Sequence, residues 1–157
     1  INSIKYKNKI FHMRNIKSVN EGLKISKYVS RENHKFKGFL RFVELKNKVL
    51  YAEFSPSNNI IFLLSKHFKK RLSNEYWVIK DVGRNIISIY NKKDFYILDG
   101  NNFKLTVNDK SDLEEDIENM WKEFYKVIGI KERKNDRCRM NFMPKKYWKY
   151  ITEVKDL

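Results

Sequence analysis

The sequence predicts an α+β domain in which an antiparallel sheet of four to six strands is covered by three or four helices. Three observations carry that expectation. Apolar residues recur at helical spacing in three stretches, Ile16 to Val29, Ile61 to Leu72 and Leu113 to Ile128. Short runs rich in aromatic and β-branched residues fill most of the chain between Phe36 and Val107 outside the second helix. The strand connections there are brief and rich in Gly, Asn and Asp, which favours hairpins and antiparallel pairing.

Residues 1–15 are basic and lack a clear period, and the chain begins with Ile, so they read as the remnant of a longer N-terminal region. Ser18-Val19-Asn20-Glu21 has the form of a capping box and opens a helix through about Asn33, which Gly22 weakens slightly. Phe36 to Glu44 and Lys48 to Phe54 follow as strands, turning at Lys46-Asn47. Pro56 ends the second strand, and Ser57 or Asn58 is placed to cap a helix. That helix turns Ile61, Leu64, Phe68 and Leu72 inward and Lys66, Lys69 and Lys70 outward.

Strands at Tyr76–Asp81 and Ile86–Tyr90 flank Gly83-Arg84-Asn85, and a further pair, Phe95–Leu98 and Phe103–Val107, flanks Asp99-Gly100-Asn101-Asn102. Ser111-x-x-Glu114 opens an acidic helix with one apolar face, stopped near Gly129. Pro144 suits the first position of a short final helix, Lys145 to Ile151. No repeat, low-complexity segment or linker divides the chain, so 1–157 reads as a single domain ending in a basic aromatic segment, 131–157.

Composition narrows the function classes. The lone Cys138 excludes an internal disulfide, and His12, His34 and His67 share no metal-ligand spacing, so neither metal nor cofactor is expected. No apolar run reaches membrane-span length and no signal peptide is visible, which points to a cytoplasmic protein. The net charge is +15, and 109–123 holds seven acids against two lysines, so the remaining residues sum to +20. Such a surface attracts polyanions, nucleic acid first among them; abundant Lys, Asn and Ile also suit an AT-rich genome, which raises lysine content on its own. Between Lys131 and Tyr150 eight Lys/Arg face two acids and interleave with four aromatics, a composition suited to phosphate and base contacts.

Four separated clusters support a resemblance. They are His34-x-Phe36-Lys37-Gly38-Phe39-x-Arg41-Phe42; His67-Phe68-x-x-Arg71; Trp77-x-Ile79-x-Asp81-x-x-Arg84; and Trp121 with Ile130-x-Glu132-Arg133-x-Asn135 and Phe142-Met143-Pro144-Lys145-x-Tyr147-Trp148, closing on Glu153. Together they resemble a bacterial DNA-metabolism (DNA-repair) protein family, an uncharacterised domain fused in some relatives to a uracil-DNA-glycosylase-like domain and associated elsewhere with a radical-SAM protein. The resemblance spans about Ser18 to Glu153 and implies a role beside DNA, a radical-SAM-like partner, and an N-terminal segment absent from this chain.

Each cluster has a binding reading and a structural one. Arg41 between aromatics presents a phosphate contact, or pairs with Glu53 while Phe39 and Phe42 fill the core. His67 and Arg71 share a helix face, with Lys70 beside them and Lys66 on the same helix; they grip a phosphate, or His67 is bonded at the helix–sheet seam. Asp81 with Arg84 is best read as a salt bridge that fixes a turn. Arg133 offers a planar fork for phosphate or guanine edges and Asn135 an adenine-reading amide, or Glu132 and Asn135 cap or tie down the chain between two helices and leave Arg133 for a buried ion pair. Met143, Tyr147 and Trp148 read as a hydrophobic plug that leaves Lys145, Lys146 and Lys149 free to meet a backbone.

The expected function is therefore a non-catalytic nucleic-acid-binding accessory module of a bacterial DNA repair or modification system. A glycosylase-like or nuclease-like enzyme using His34, His67, Asp81 or Glu132 is the alternative, as is a protein-interaction subunit. No paired-carboxylate motif, Gly-rich phosphate loop or metal-ligand cluster supports the enzyme.

Overall fold

Val29, Phe36 and Phe39 sit on a stripe that only a long helix can bring together, and in the computed structural model a single helix, α1, runs from Lys17 to Phe39. The structure describes residues 13–102, 117, 119, 120, 122, 135–152 and 154. Ile16, not Ser18, occupies the N-cap of α1, and it makes no side-chain cap bond. The helix also continues two turns beyond Asn33, because Phe36 is drawn into the core and Gly38 does not stop the winding. The strand expected over Phe36–Glu44 therefore shrinks to β1, Val43–Glu44.

β1 pairs with β2 (Leu50–Phe54) in an antiparallel hairpin whose turn places Lys48 at φ 60°. From β2 the chain crosses through α2 (Ile61–Arg71) to β3 (Trp77–Asp81) and returns parallel to β2, with Leu50 opposite Trp77 and Phe54 opposite Asp81. The sheet is thus mixed, not wholly antiparallel: α2 is long enough to serve as a crossover, a connection that hairpin turns elsewhere in the sheet do not provide. β4 (Ile86–Tyr90) and β5 (Phe95–Asp99) then add antiparallel, giving the order β1-β2-β3-β4-β5. The turn between β3 and β4 puts Asn85 at φ 52°, and a short 3₁₀ turn, Gly100–Asn102, follows β5. The strand expected at Phe103–Val107 and the acidic helix start at Ser111 lie outside the described residues.

Strand alternation sorts the core into two layers. On one face Ala52, Phe54, Trp77, Ile79 and Tyr90 pack against Phe36, Ile61, Leu64 and Phe68 of the two helices. Trp77 stacks on its cross-strand partner Tyr90 at 5.0 Å. The other face gathers Leu45, Tyr51, Val78 and Ile87 in a smaller cluster. Where α2 meets β4, Ser65 Oγ donates to the Ile61 carbonyl at 2.7 Å and lies 2.7 Å from Ser88 Oγ, two small hydroxyls that satisfy each other at a dry contact.

The C-terminal segment closes the helical face. A helix the sequence pattern did not announce, α3 (Asp136–Phe142), is followed by a 3₁₀ helix over Lys145–Tyr150 with Pro144 at its N-cap. Tyr147, Trp148, Ile151 and Val154 are buried in the main core cluster. Trp148 Nε1 donates to the Met143 carbonyl at 2.8 Å, so the aromatic plug is also pinned by its polar end.

Candidate functional site

The loop that leaves β2, Ser55 to Asn58, has no regular structure of its own and is held from two sides by buried charge. From α1, Glu32 reaches in with only 6% of its surface exposed. Its Oε1 accepts the Ser57 N–H at 2.8 Å and the Tyr147 hydroxyl at 3.2 Å; its Oε2 accepts the Asn58 N–H at 2.8 Å and Asn58 Nδ2 at 2.6 Å. Burial pushes the Glu32 pKa up, and these four bonds more than offset it, leaving the carboxyl below its usual 4.5.

From the β3–β4 turn, Arg84 donates to the Pro56 carbonyl at 3.1 Å and to the Ser57 carbonyl at 2.6 Å. Its other anchor is Asp81, fully buried, with Oδ2 at 3.0 Å from Arg84 Nη1 and Oδ1 accepting the Arg84 N–H at 3.2 Å. The expected Asp81–Arg84 bridge is thus present, and it does more than fix its own turn. Asp81 is committed to Arg84 beneath the surface, so it is no candidate for a general base.

Against this loop stands the C-terminal 3₁₀ helix. Burying Tyr147 and Trp148 turns Lys145, Lys146 and Lys149 outward. Lys146 Nζ donates to Ser57 Oγ at 2.8 Å and lies 4.7 Å from the Tyr147 ring centre. Its pKa is raised, chiefly by the hydrogen bond with Tyr147, so the ammonium donates to Ser57 and does not act as a base that would activate it. Lys149 lies 4.7 Å from the Tyr150 ring centre and is likewise held protonated by that tyrosine. Lys145 and Arg139 both lie over Trp148, at 5.6 and 4.8 Å from its ring centre. A pocket of about 300 Å³ between loop and helix is lined by Ser55, Pro56, Ser57, Lys146, Lys149 and Tyr150.

A second basic group forms where α2 meets the end of α1. His67 has a buried Nε2 without a hydrogen-bond partner among the described residues. Its pKa is lowered from 6.5 by burial first and then by Lys37 and Arg71. Lys66, Lys70 and Arg71 are exposed on the same helix, whereas Lys69 is paired with Asp94. Because the folded-state pKa is depressed, His67 contributes stability that is fully present above 6.5 and is lost as pH falls through the folded value. An NMR titration of its ring protons should find a midpoint below 6.5, rising when a polyanion is added; a midpoint at or above 6.5 in the free protein would contradict this electrostatic setting.

The remaining expected residues are placed as follows. Arg41 is not on a strand; it follows α1, and its guanidinium donates to the Gly38 carbonyl at 2.6 Å. Phe42 packs on Phe68 and Phe39 on Tyr147, which confirms their core role. Glu53 accepts the Tyr51 hydroxyl at 2.5 Å. His34 is exposed on α1, along a groove it shares with Arg31 and Lys35. Asn135 caps α3, its Oδ1 accepting the Cys138 N–H at 2.9 Å. Glu132 and Arg133 lie outside the described residues. Lys146 and Lys149 are brought together in one pocket; His67 and Arg71 are brought together with Lys37. Glu32 and Ser57 were missed as site residues, and only the burial of a charged residue on a helix with Phe36 one turn on could have drawn attention to Glu32.

Among the described residues no helix is long and apolar enough to cross a membrane. No curated protein and no solved structure matches the chain significantly. A family model does match, over residues 1–153, nearly the whole chain. The protein therefore belongs to the family described as a domain of unknown function, DUF4130.

Proposed function

We propose that this domain is a phosphate-gripping, nucleic-acid-binding accessory module of a bacterial DNA repair or modification system, working in the cytoplasm beside a radical-SAM-like protein. One observation carries the reading: the 3₁₀ helix buries its aromatics and presents Lys145, Lys146 and Lys149 together on the solvent side, with Arg139 adjacent. Three ammonium groups within five residues, borne on a segment pinned into the core, form a fixed cationic surface rather than a solvated tail. Because Tyr147 and Trp148 are buried, these two rings do not stack on bases, and the lysines suit contacts to the strand's phosphates. Lys66, Lys70 and Arg71, with Lys37 and His67 behind them, supply a second cationic patch, and Arg41 stands close by in sequence to Lys37.

The test is an anisotropy titration with single- and double-stranded DNA across a salt series. Binding to duplex should weaken linearly on logarithmic axes, and Lys145→Ala/Lys149→Ala should flatten the slope by about 2. Affinity that is independent of salt, or no binding at low salt, would refute the reading and assign the charge excess to composition.

A further inference from the structure

We propose that the pocket between the Ser55–Ser57 loop and the C-terminal 3₁₀ helix takes a phosphate monoester, for which the end of a nucleic-acid strand is the source if the reading above holds. The ligand is an anion because two of the six lining residues are lysines and none is acidic. The acids that act on these lysines from outside the lining, Glu32 and Glu53, already accept bonds from other donors. A dianion matches two ammonium groups where a backbone diester, with one charge, leaves one of them unmatched.

The ligand is small because the pocket holds about 300 Å³, the lower end of the range for small-molecule sites. It carries acceptor oxygens because the pocket is rich in donors. Lys146 Nζ and Ser57 Oγ already meet at 2.8 Å, and an oxygen placed between them replaces one donor–acceptor contact with two. Tyr150 Oη is buried without a partner among the described residues, and Lys149 lies across the same ring.

The wall opposite the lysines is rigid before any ligand arrives. Glu32 holds the backbone N–H groups of Ser57 and Asn58, and Arg84 holds the carbonyls of Pro56 and Ser57. Such a wall costs little ordering entropy on binding. With Lys146 protonated and donating to Ser57, the site binds a phosphate and performs no nucleophilic step on it.

The experiment uses oligonucleotides of one sequence ending in a 5′-phosphate, a 3′-phosphate or hydroxyls only, with inorganic phosphate as competitor and, alone, as ligand in amide-shift titrations. A phosphate-ended strand should bind about tenfold tighter than the hydroxyl-ended one, the factor one charge-assisted hydrogen bond supplies. Inorganic phosphate should remove that preference, and Ser57→Ala should bring the ratio towards one. Equal affinity for all three strands overturns the pocket while leaving the nucleic-acid reading intact. If no strand binds but inorganic phosphate saturably shifts Ser57 and Tyr150, the pocket stands with a small phosphate ester as its ligand and the nucleic-acid reading falls. No response to strand or phosphate overturns both.

Discussion

Replacing Glu32 with glutamine is expected to destabilise the folded chain by about 3 kcal/mol, because it sets an amide donor against a cluster of donors. All four groups around the carboxylate, the N–H of Ser57, the N–H and Nδ2 of Asn58 and the Tyr147 hydroxyl, donate to it. Glutamine keeps one acceptor and turns the other position into an NH₂, so one backbone N–H, that of Ser57 or of Asn58, loses its acceptor and faces a donor instead. Such a loss costs about 1–3 kcal/mol, and the shape of the side chain is unchanged, so no cavity term enters. For a chain of this length the melting temperature should fall by about 6–12 °C.

The pH dependence separates this from a general packing defect. Glu32 titrates below its usual 4.5 in the folded state, so its contribution is fully present above that value and disappears as pH falls through the folded pKa. Wild type should lose stability over that acid range and Glu32→Gln should lose less, the two curves converging. A melting temperature within about 2 °C of wild type at neutral pH would show that the buried carboxylate does not hold the loop.

How much of this was legible in the sequence follows from the range of the forces involved. The α2 stripe of Ile61, Leu64 and Phe68 and the strands ending at Asp81 and Tyr90 were readable because burial there follows a local period. The long α1 was cut short because Phe36, Phe39 and Phe42 look like a strand in isolation. Only their shared packing with Phe54, Phe68 and Tyr147 decides for helix over the first two. The parallel pairing of β2 with β3 was missed for a related reason, since register against a distant strand leaves no mark within either one.

The site shows the same division. Asp81 and Arg84 stand three apart and could be paired by eye, and the buried Tyr147 and Trp148 with outward lysines follow from the aromatic spacing. Glu32 and Ser57 are 25 residues apart, and Ser57 and Lys146 are 89 apart, so no local pattern joins them. Asn135 illustrates two roles that a sequence leaves open, a base contact and a cap, and the structure shows its Oδ1 capping α3.

Asp81→Ala should cost about 3 kcal/mol, and its cost should overlap with that of Glu32→Gln. Asp81 is fully buried while the Arg84 side chain is 29% exposed. Removing the carboxylate leaves a guanidinium that keeps its bonds to Pro56 and Ser57 and some contact with water, which places the loss at the low end of the range for a broken buried pair. The two carboxylates meet at one residue. Glu32 fixes the Ser57 N–H and Arg84, positioned by Asp81, fixes the Ser57 carbonyl. Once either grip is released the loop gains freedom, and the remaining grip restrains a segment already partly disordered. The double variant should therefore lose about 1 kcal/mol less than the sum of the single losses, measured by urea unfolding. Additivity within about 0.4 kcal/mol would mean that the loop is held as two independent halves. In that event Glu32 and Arg84 would each hold Ser57 opposite Lys146 independently, and each single substitution would weaken the preference for a phosphate-ended strand by its own separate amount.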